Sequence, residues 1–184
     1  MRIAILPIGL VDGSVLEDLR FNLSEVLPYT EAFILKDSLP LPEEAYDPIR
    51  DQYYSSRILL YIEAHHHRFD VDRILGVAGV DLYVPSLNFV FGEALGRGRS
   101  AIISLFRLRP EFYGAPENRV LYLGRTSKEA VHEIGHTMGL GHCSDPGCVM
   151  FFSNSIVDTD MKSSAFCRRC YRRVARRIRN QTST

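Results

Sequence analysis

The first apolar run, Arg2 to Ile8 (RIAILPI), is short and almost continuous, the pattern of a strand buried on both faces. From Val11 to Leu27 the period changes, with apolar residues at 16, 19, 23 and 26 near helical spacing. A strand feeding a helix suggests a βαβ opening. Glu31 to Leu35 (EAFIL) reads as the next strand, and the Pro-containing SLPLPEEAYDP as an exposed irregular loop. Asp51 to His66 reads as a helix with Tyr54, Ile58, Leu59 and Ile62 on one face. Three β-rich runs follow, at 73–84, 88–92 and 100–107, the last two joined as a hairpin through EALGRGR. A further short apolar run, VLYL at 120–123, precedes a second helix. The sequence carries no internal repeat. The order of elements predicts a mixed, mostly parallel twisted sheet packed with helices, in the α/β or α+β class.

That second helix carries candidate chemistry. Thr126 followed by Glu129 has the spacing of a capping box, which predicts a helix start near Ser127. His132 and His136 are then one turn apart on one face, with Glu133 beside them. Gly139 offers a left-handed exit from the helix, which returns His142 toward the same point. Three imidazoles at tetrahedral angles leave a fourth position open, as a catalytic zinc requires, and Glu133 stands where a general base is needed.

Composition narrows the class. With 184 residues and 46% apolar content, the chain suits one buried core and a single domain. Lys plus Arg and Asp plus Glu both number 22, so no global field favours nucleic acid or a membrane surface as partner. The N-terminus lacks the pattern of a signal peptide and no run approaches 18 apolar residues, so a soluble, cytoplasmic protein is expected. All four cysteines fall between 143 and 170. In a reducing compartment Cys143, Cys148, Cys167 and Cys170 read as a closed structural zinc site rather than two disulfides. Because Cys143 follows His142 directly, the second metal would anchor the segment that delivers the third histidine.

HEIGHTMGLGH, 132–142, resembles the extended signature of the metzincin zinc peptidases, and its continuation through Cys143, Cys148, Met150, Cys167 and Cys170 is similar to the archaemetzincins. The resemblance implies a metzincin fold, with an upper lobe of sheet and two long helices over about 1–139. It also implies a cleft, and a small lower lobe over about 140–184 that carries the cysteines. It implies two zinc ions per chain, one catalytic and one structural, and a role for Met150 as the methionine packed beneath the zinc-binding imidazoles. Where some metzincins have a tyrosine two residues after that methionine, this chain has Phe152. In such clefts substrate lies along an exposed strand edge, for which Asn88, Phe89, Val90, Phe91 and Gly92 are the candidates.

Other features have blander readings. Consecutive His65, His66 and His67 cannot converge on one ion and suit an exposed helix C-terminus. Segment 168–179 holds seven arginines, with Tyr171, Val174, Ala175 and Ile178 on one stripe, and reads as a docked amphipathic helix with a solvated outer face. The arginines leave an acidic partner, nucleic acid included, or a substrate carboxylate as alternatives. The expected function is a zinc-dependent peptidase acting on short or narrowly selected peptides, as a monomer. If it is an aminopeptidase, Glu93, Asp145 or Asp158 could hold the substrate's N-terminus. The rival is a catalytically silent, zinc-structured module that binds a peptide or partner, and the intact Glu133 argues against it.

Overall fold

The computed structural model describes residues 1–96 and 98–181. Arg97, in the expected hairpin turn, and 182–184, at the end of the expected lower lobe, lie outside the described residues. In chain order the elements are β1 (Arg2–Ile8), α1 (Gly13–Val26), β2 (Glu31–Ile34), β3 (Tyr46–Asp47), β4 (Gln52–Tyr54), α2 (Ser55–His65) and β5 (Arg73–Ala78). They continue with β6 (Leu82–Tyr83), β7 (Gly92–Ala94), β8 (Ser100–Ser104), α3 (Arg119–Thr137), α4 (Ile156–Met161) and α5 (Arg168–Gln181).

The main sheet has the order β2-β1-β5-β8-β7, in which all pairs are parallel except β7 with β8. This is the mixed, mostly parallel sheet expected. The alternation along β1 explains its continuous apolar run. Ile3 and Ile5 enter one core with α1 and α3, while Ala4, Leu6 and Ile8 enter a second core with Ile58, Leu59 and Ile62 of α2. A strand covered on both faces has no polar side to show.

Several expected elements differ. VLYL at 120–123 does not precede the second helix but forms its first turn, in α3. α3 opens at Arg119, where the Asn118 side chain accepts from the Leu121 N–H at 3.0 Å, well before the expected start near Ser127. Thr126 and Glu129 form no capping box: the Thr126 hydroxyl donates back to the Tyr122 carbonyl at 2.9 Å, and Glu129 points into the protein. The 73–84 run divides at Gly79, because β6 joins β3 and β4 in a separate three-stranded sheet. β4 likewise takes the first residues of the expected 51–66 helix, leaving α2 to start at Ser55. The 88–92 strand is confined to Gly92–Ala94, with Val90 making a single bridge to Leu82. His66 is buried, not exposed. On α5, Val174, Ala175 and Ile178 are buried as expected, whereas Tyr171 is exposed.

Candidate metal centre

α3 presents Glu129, His132, Glu133 and His136 at i, i+3, i+4 and i+7, and all four line a cavity of about 640 Å³. The helix ends in a Schellman turn. Gly139, at φ +77°, donates to the His136 carbonyl at 2.9 Å, and Leu140 donates to Gly135 at 3.2 Å. This turn reverses the chain so that His142 reaches the cavity, where its ring stacks on His132 and meets Phe152.

Backbone carbonyls fix the orientation of two of the three imidazoles. His132 Nδ1 lies 2.8 Å from the Val149 carbonyl and His136 Nδ1 lies 2.8 Å from the Leu140 carbonyl. A carbonyl only accepts, so both Nδ1 atoms carry the proton and both Nε2 atoms present lone pairs. Those Nε2 atoms are 3.0 Å apart, and one nitrogen from each of the three histidines falls within 4.8 Å of the others. Burial holds all three imidazoles below their ordinary pKa, His132 furthest, so a proton shared between them is disfavoured. Converging lone pairs without protons are relieved by a cation. The spacing suits one, since a tetrahedron with zinc–nitrogen bonds of about 2.05 Å has edges of about 3.3 Å.

Glu133 is buried beside His132, and burial, then the charges of Glu129 and Glu93, raise its pKa well above the carboxylate range against the pull of Lys162. Two glycines make room for this centre. A Cβ on Gly92 would sit 2.6 Å from Glu133 Cγ and 2.7 Å from the Ile102 carbonyl, so the edge strand β7 can cross directly over Glu133 only as glycine. A Cβ on Gly135 would sit 2.5 Å from Met150 Sδ, which places Met150, fully buried, against α3 behind the histidines. Cys143 N–H donates to the Met150 carbonyl at 2.8 Å, joining this layer to the cysteine cluster.

The four cysteines are free thiols whose Sγ atoms lie within 4.8 Å of one another. Cys143 and Cys167 Sγ are 3.9 Å apart, far beyond a disulfide bond of about 2.05 Å and close to the edge of about 3.8 Å expected for four thiolates on zinc. Burial raises the Cys143 thiol, but the Asp145 backbone N–H, Arg169 and the neighbouring thiols outweigh it and bring its pKa down to about 7. Burial raises Cys148 and Cys170. A cation would be needed to hold all four as thiolates, and this donor set fits zinc.

All five candidate edge residues, Asn88 to Gly92, line the cavity, together with Leu87 and Ala94. None of the three acidic candidates does. Glu93 accepts from the Ser55 and Ser56 hydroxyls on α2, Asp145 accepts from Gly147 N, and Asp158 closes the capping box of α4 with Ser155. The acidic residue that shares the cavity with Glu133 is Glu129, which sequence reasoning placed at a helix start. Its carboxylate is buried against Lys162 Nζ at 2.9 Å and accepts from Thr159 Oγ1 at 3.1 Å. Arg125, one turn earlier, and the adjacent Lys128 hold α4 through Asp160 and through the Thr159 and Asp160 carbonyls. The helical offset of Glu129 from Glu133 was available in the sequence; its partner 33 positions later was not. Ser153 also lines the cavity, with no hydrogen-bond partner for its hydroxyl among the described residues.

Comparison with known proteins places this geometry. The model of peptidase family M54 matches residues 11–176. The archaemetzincin of Methanocaldococcus jannaschii is 44% identical over 174 residues, covering 95% of this chain and 93% of its own. The crystal structure of the Methanopyrus kandleri archaemetzincin superposes with a TM-score of 0.85 at 37% identity, covering 97% of this chain and 96% of that one. A zinc-dependent peptidase from Methanocorpusculum labreanum superposes with a TM-score of 0.85 at 32% identity, covering 94% and 99%.

Proposed function

This chain belongs to peptidase family M54, the zinc metallopeptidases named archaemetzincins, and on that footing we propose that it hydrolyses short or narrowly selected peptides at the His132, His136 and His142 centre with Glu133 as general base. The observation that carries the reading is the convergence of three imidazoles, two of them with Nε2 lone pairs turned to the same point, and one buried carboxylate in a single cavity. His132, His136 and His142 would hold a zinc ion, which when bound would supply Lewis acidity at that point. Glu133 takes the proton of the attacking water and delivers it to the leaving amine; its raised proton affinity suits a group that must both accept and give. The Val149 and Leu140 carbonyls hold His132 and His136 in one tautomer and orientation throughout. Phe152 stands against His142 without a hydroxyl, so in this chain no proton donor acts from that position.

The unpaired edge of β7 and the adjoining Asn88–Phe91 segment would receive an extended peptide as an added strand. This segment is braced from behind. Gln52 donates to the Asn88 carbonyl at 3.0 Å, Arg50 to the Leu87 and Asn88 carbonyls, and Arg107 lies between the Phe89 and Phe112 rings while paired to Asp81. A cavity of about 640 Å³ accommodates a few residues of extended chain rather than a folded domain. The cysteine cluster takes the structural zinc. Among the described residues no helix is long and apolar enough to cross a membrane.

The test is cleavage of a mixed-sequence peptide library by the zinc-loaded protein and its Glu133→Gln variant, read by mass spectrometry. Cuts made by the wild type and lost in a variant that still holds zinc are expected. Substantial turnover by Glu133→Gln would sink the assignment of the base.

A further inference from the structure

The cavity over the histidines shares part of its wall with a neighbour. Gly139 and Leu140 also form the wall of a second groove, of about 520 Å³, whose opposite side is α5. On α5 the residues that face it are Arg173, Arg176, Arg177 and Asn180, at i, i+3, i+4 and i+7, so a single stripe of the helix fronts the groove. The buried stripe of α5, Val174, Ala175 and Ile178, holds this helix to the core and so fixes which side its cations show.

Three guanidinium groups in one groove repel one another unless an anion answers them. Among the described residues, no carboxylate pairs with Arg173, Arg176 or Arg177, although Arg2, Arg20, Arg107, Arg119 and Arg125 each find one. Arg173 reaches the Gly139 carbonyl at 3.5 Å, a weak contact with the C-terminal end of α3 that leaves most of its donors to the groove. The overall balance of charge in the chain is zero, so the concentration of cations beside the cleft is local.

We infer that this groove is an extension of the substrate cleft, and that Arg173, Arg176 and Arg177 bind carboxylates of acidic residues in the substrate peptide. An extended chain advances about 3.4 Å per residue, so a peptide leaving the histidines past Gly139 brings side chains a few residues from the scissile bond into the groove. Guanidinium groups suit this ligand because each offers a planar fork of donors to a carboxylate. The inference rests on the peptidase reading only for the nature of the chain that carries the carboxylates.

The test uses the zinc-loaded full chain and fluorescein-labelled peptides with a neutral core and an Asp-Glu pair placed on either side, each beside its Asn-Gln twin. Binding is read by anisotropy and cleavage by mass spectrometry on the same peptides. The wild type should bind one acidic peptide about tenfold more tightly than its twin at low salt, the scale of two or three exposed ion pairs. Arg176→Gln/Arg177→Gln should reduce that advantage to about twofold or less, with affinity for the Asn-Gln twin unchanged. Both arginines are exposed, so the variant should fold as the wild type does. For peptides that are cut, the advantage should lie in KM and not in kcat. Equal affinity for acidic and amide peptides, or a preference that survives in the variant, overturns the inference. So does a short single-stranded RNA that displaces the bound acidic peptide at RNA concentrations well below the peptide's own Kd. Arginine-dependent binding without any cut peptide would uphold the groove and count against the peptidase reading; efficient cutting without acidic preference would do the reverse.

Discussion

Among the described residues Lys162 is the largest fully buried side chain, and its ammonium is held by Glu129 at 2.9 Å, with the Phe151 carbonyl at 3.5 Å. At an effective dielectric of ~20, two unit charges at that separation attract by about 6 kcal/mol, and the cost of stripping water from both offsets much of it. Lys162→Met removes the attraction but leaves the Glu129 carboxylate buried with only the Thr159 hydroxyl, so a loss of about 3–5 kcal/mol is expected. For a chain of this length that is a fall in Tm of roughly 6–20 °C. Glu129→Leu strands the ammonium and should cost a similar amount. Glu129→Leu/Lys162→Met removes both charges together, and should be about as stable as the wild type or within about 2 kcal/mol of it. The assay is urea and thermal unfolding of the four zinc-loaded proteins, arranged as a double-mutant cycle. If the double variant loses the sum of the two single losses, the charges are uncoupled and the reasoning fails. Lys162→Met should in addition weaken catalysis, because the ammonium opposes the rise in Glu133 proton affinity.

Four further variants have expected outcomes. Gly92→Ala should cost about 1–3 kcal/mol of stability and most of the activity, since its methyl group meets both Glu133 and the unyielding Ile102 carbonyl; Gly135→Ala, which meets a flexible methionine, should cost less stability but weaken zinc retention, measured by metal analysis after dialysis. Cys170→Ser, remote in sequence from His142, should reduce zinc from two per chain toward one and raise the dissociation constant at the histidines, read by competition with a chromogenic chelator. Burial lowers the pKa of His66, with the charge of Arg99 adding to it, so as pH falls below about 6.5 the unfolded chain gains a proton that the folded chain resists, and stability is lost. His66→Gln should therefore look relatively more stable at pH 5.5 than at pH 8; an identical difference at both pH values, by chemical unfolding, would refute this role.

The candidate site was more legible in the sequence than the elements around it. The histidine and glutamate spacing needs only helical geometry and one glycine turn, both local, and the cysteine pairs need only short loops. What the sequence hid was set by partners far along the chain. Thr126 and Glu129 imitate a helix start because the same residue types serve a hydroxyl-to-carbonyl bond within a helix and a buried ion pair with Lys162. VLYL has the composition of a strand, yet Asn118 caps a helix just before it. Gln52–Tyr54 reads as part of a helix until a second sheet claims it. His66 reads as a surface histidine because nothing local shows that its side chain is covered. Gly92 stood among the candidate edge residues, but the reason that position needs glycine, the carboxylate directly behind it, is a contact across 41 positions.

His142 and Cys143 are neighbours, so one peptide bond joins the two proposed zinc sites. Any free energy with which an occupied cysteine cluster tightens the histidine centre must be returned in equal measure: filling the histidine centre tightens the cluster by the same factor. Coupled in this way, the two proposed sites would form a thermodynamic circuit in which neither metal has an affinity of its own. Where that coupling outweighs the difference between the two sites' affinities, ions in zinc-poor surroundings collect in pairs on some molecules and leave others empty, so that scarcity lowers the number of working molecules rather than the quality of each one.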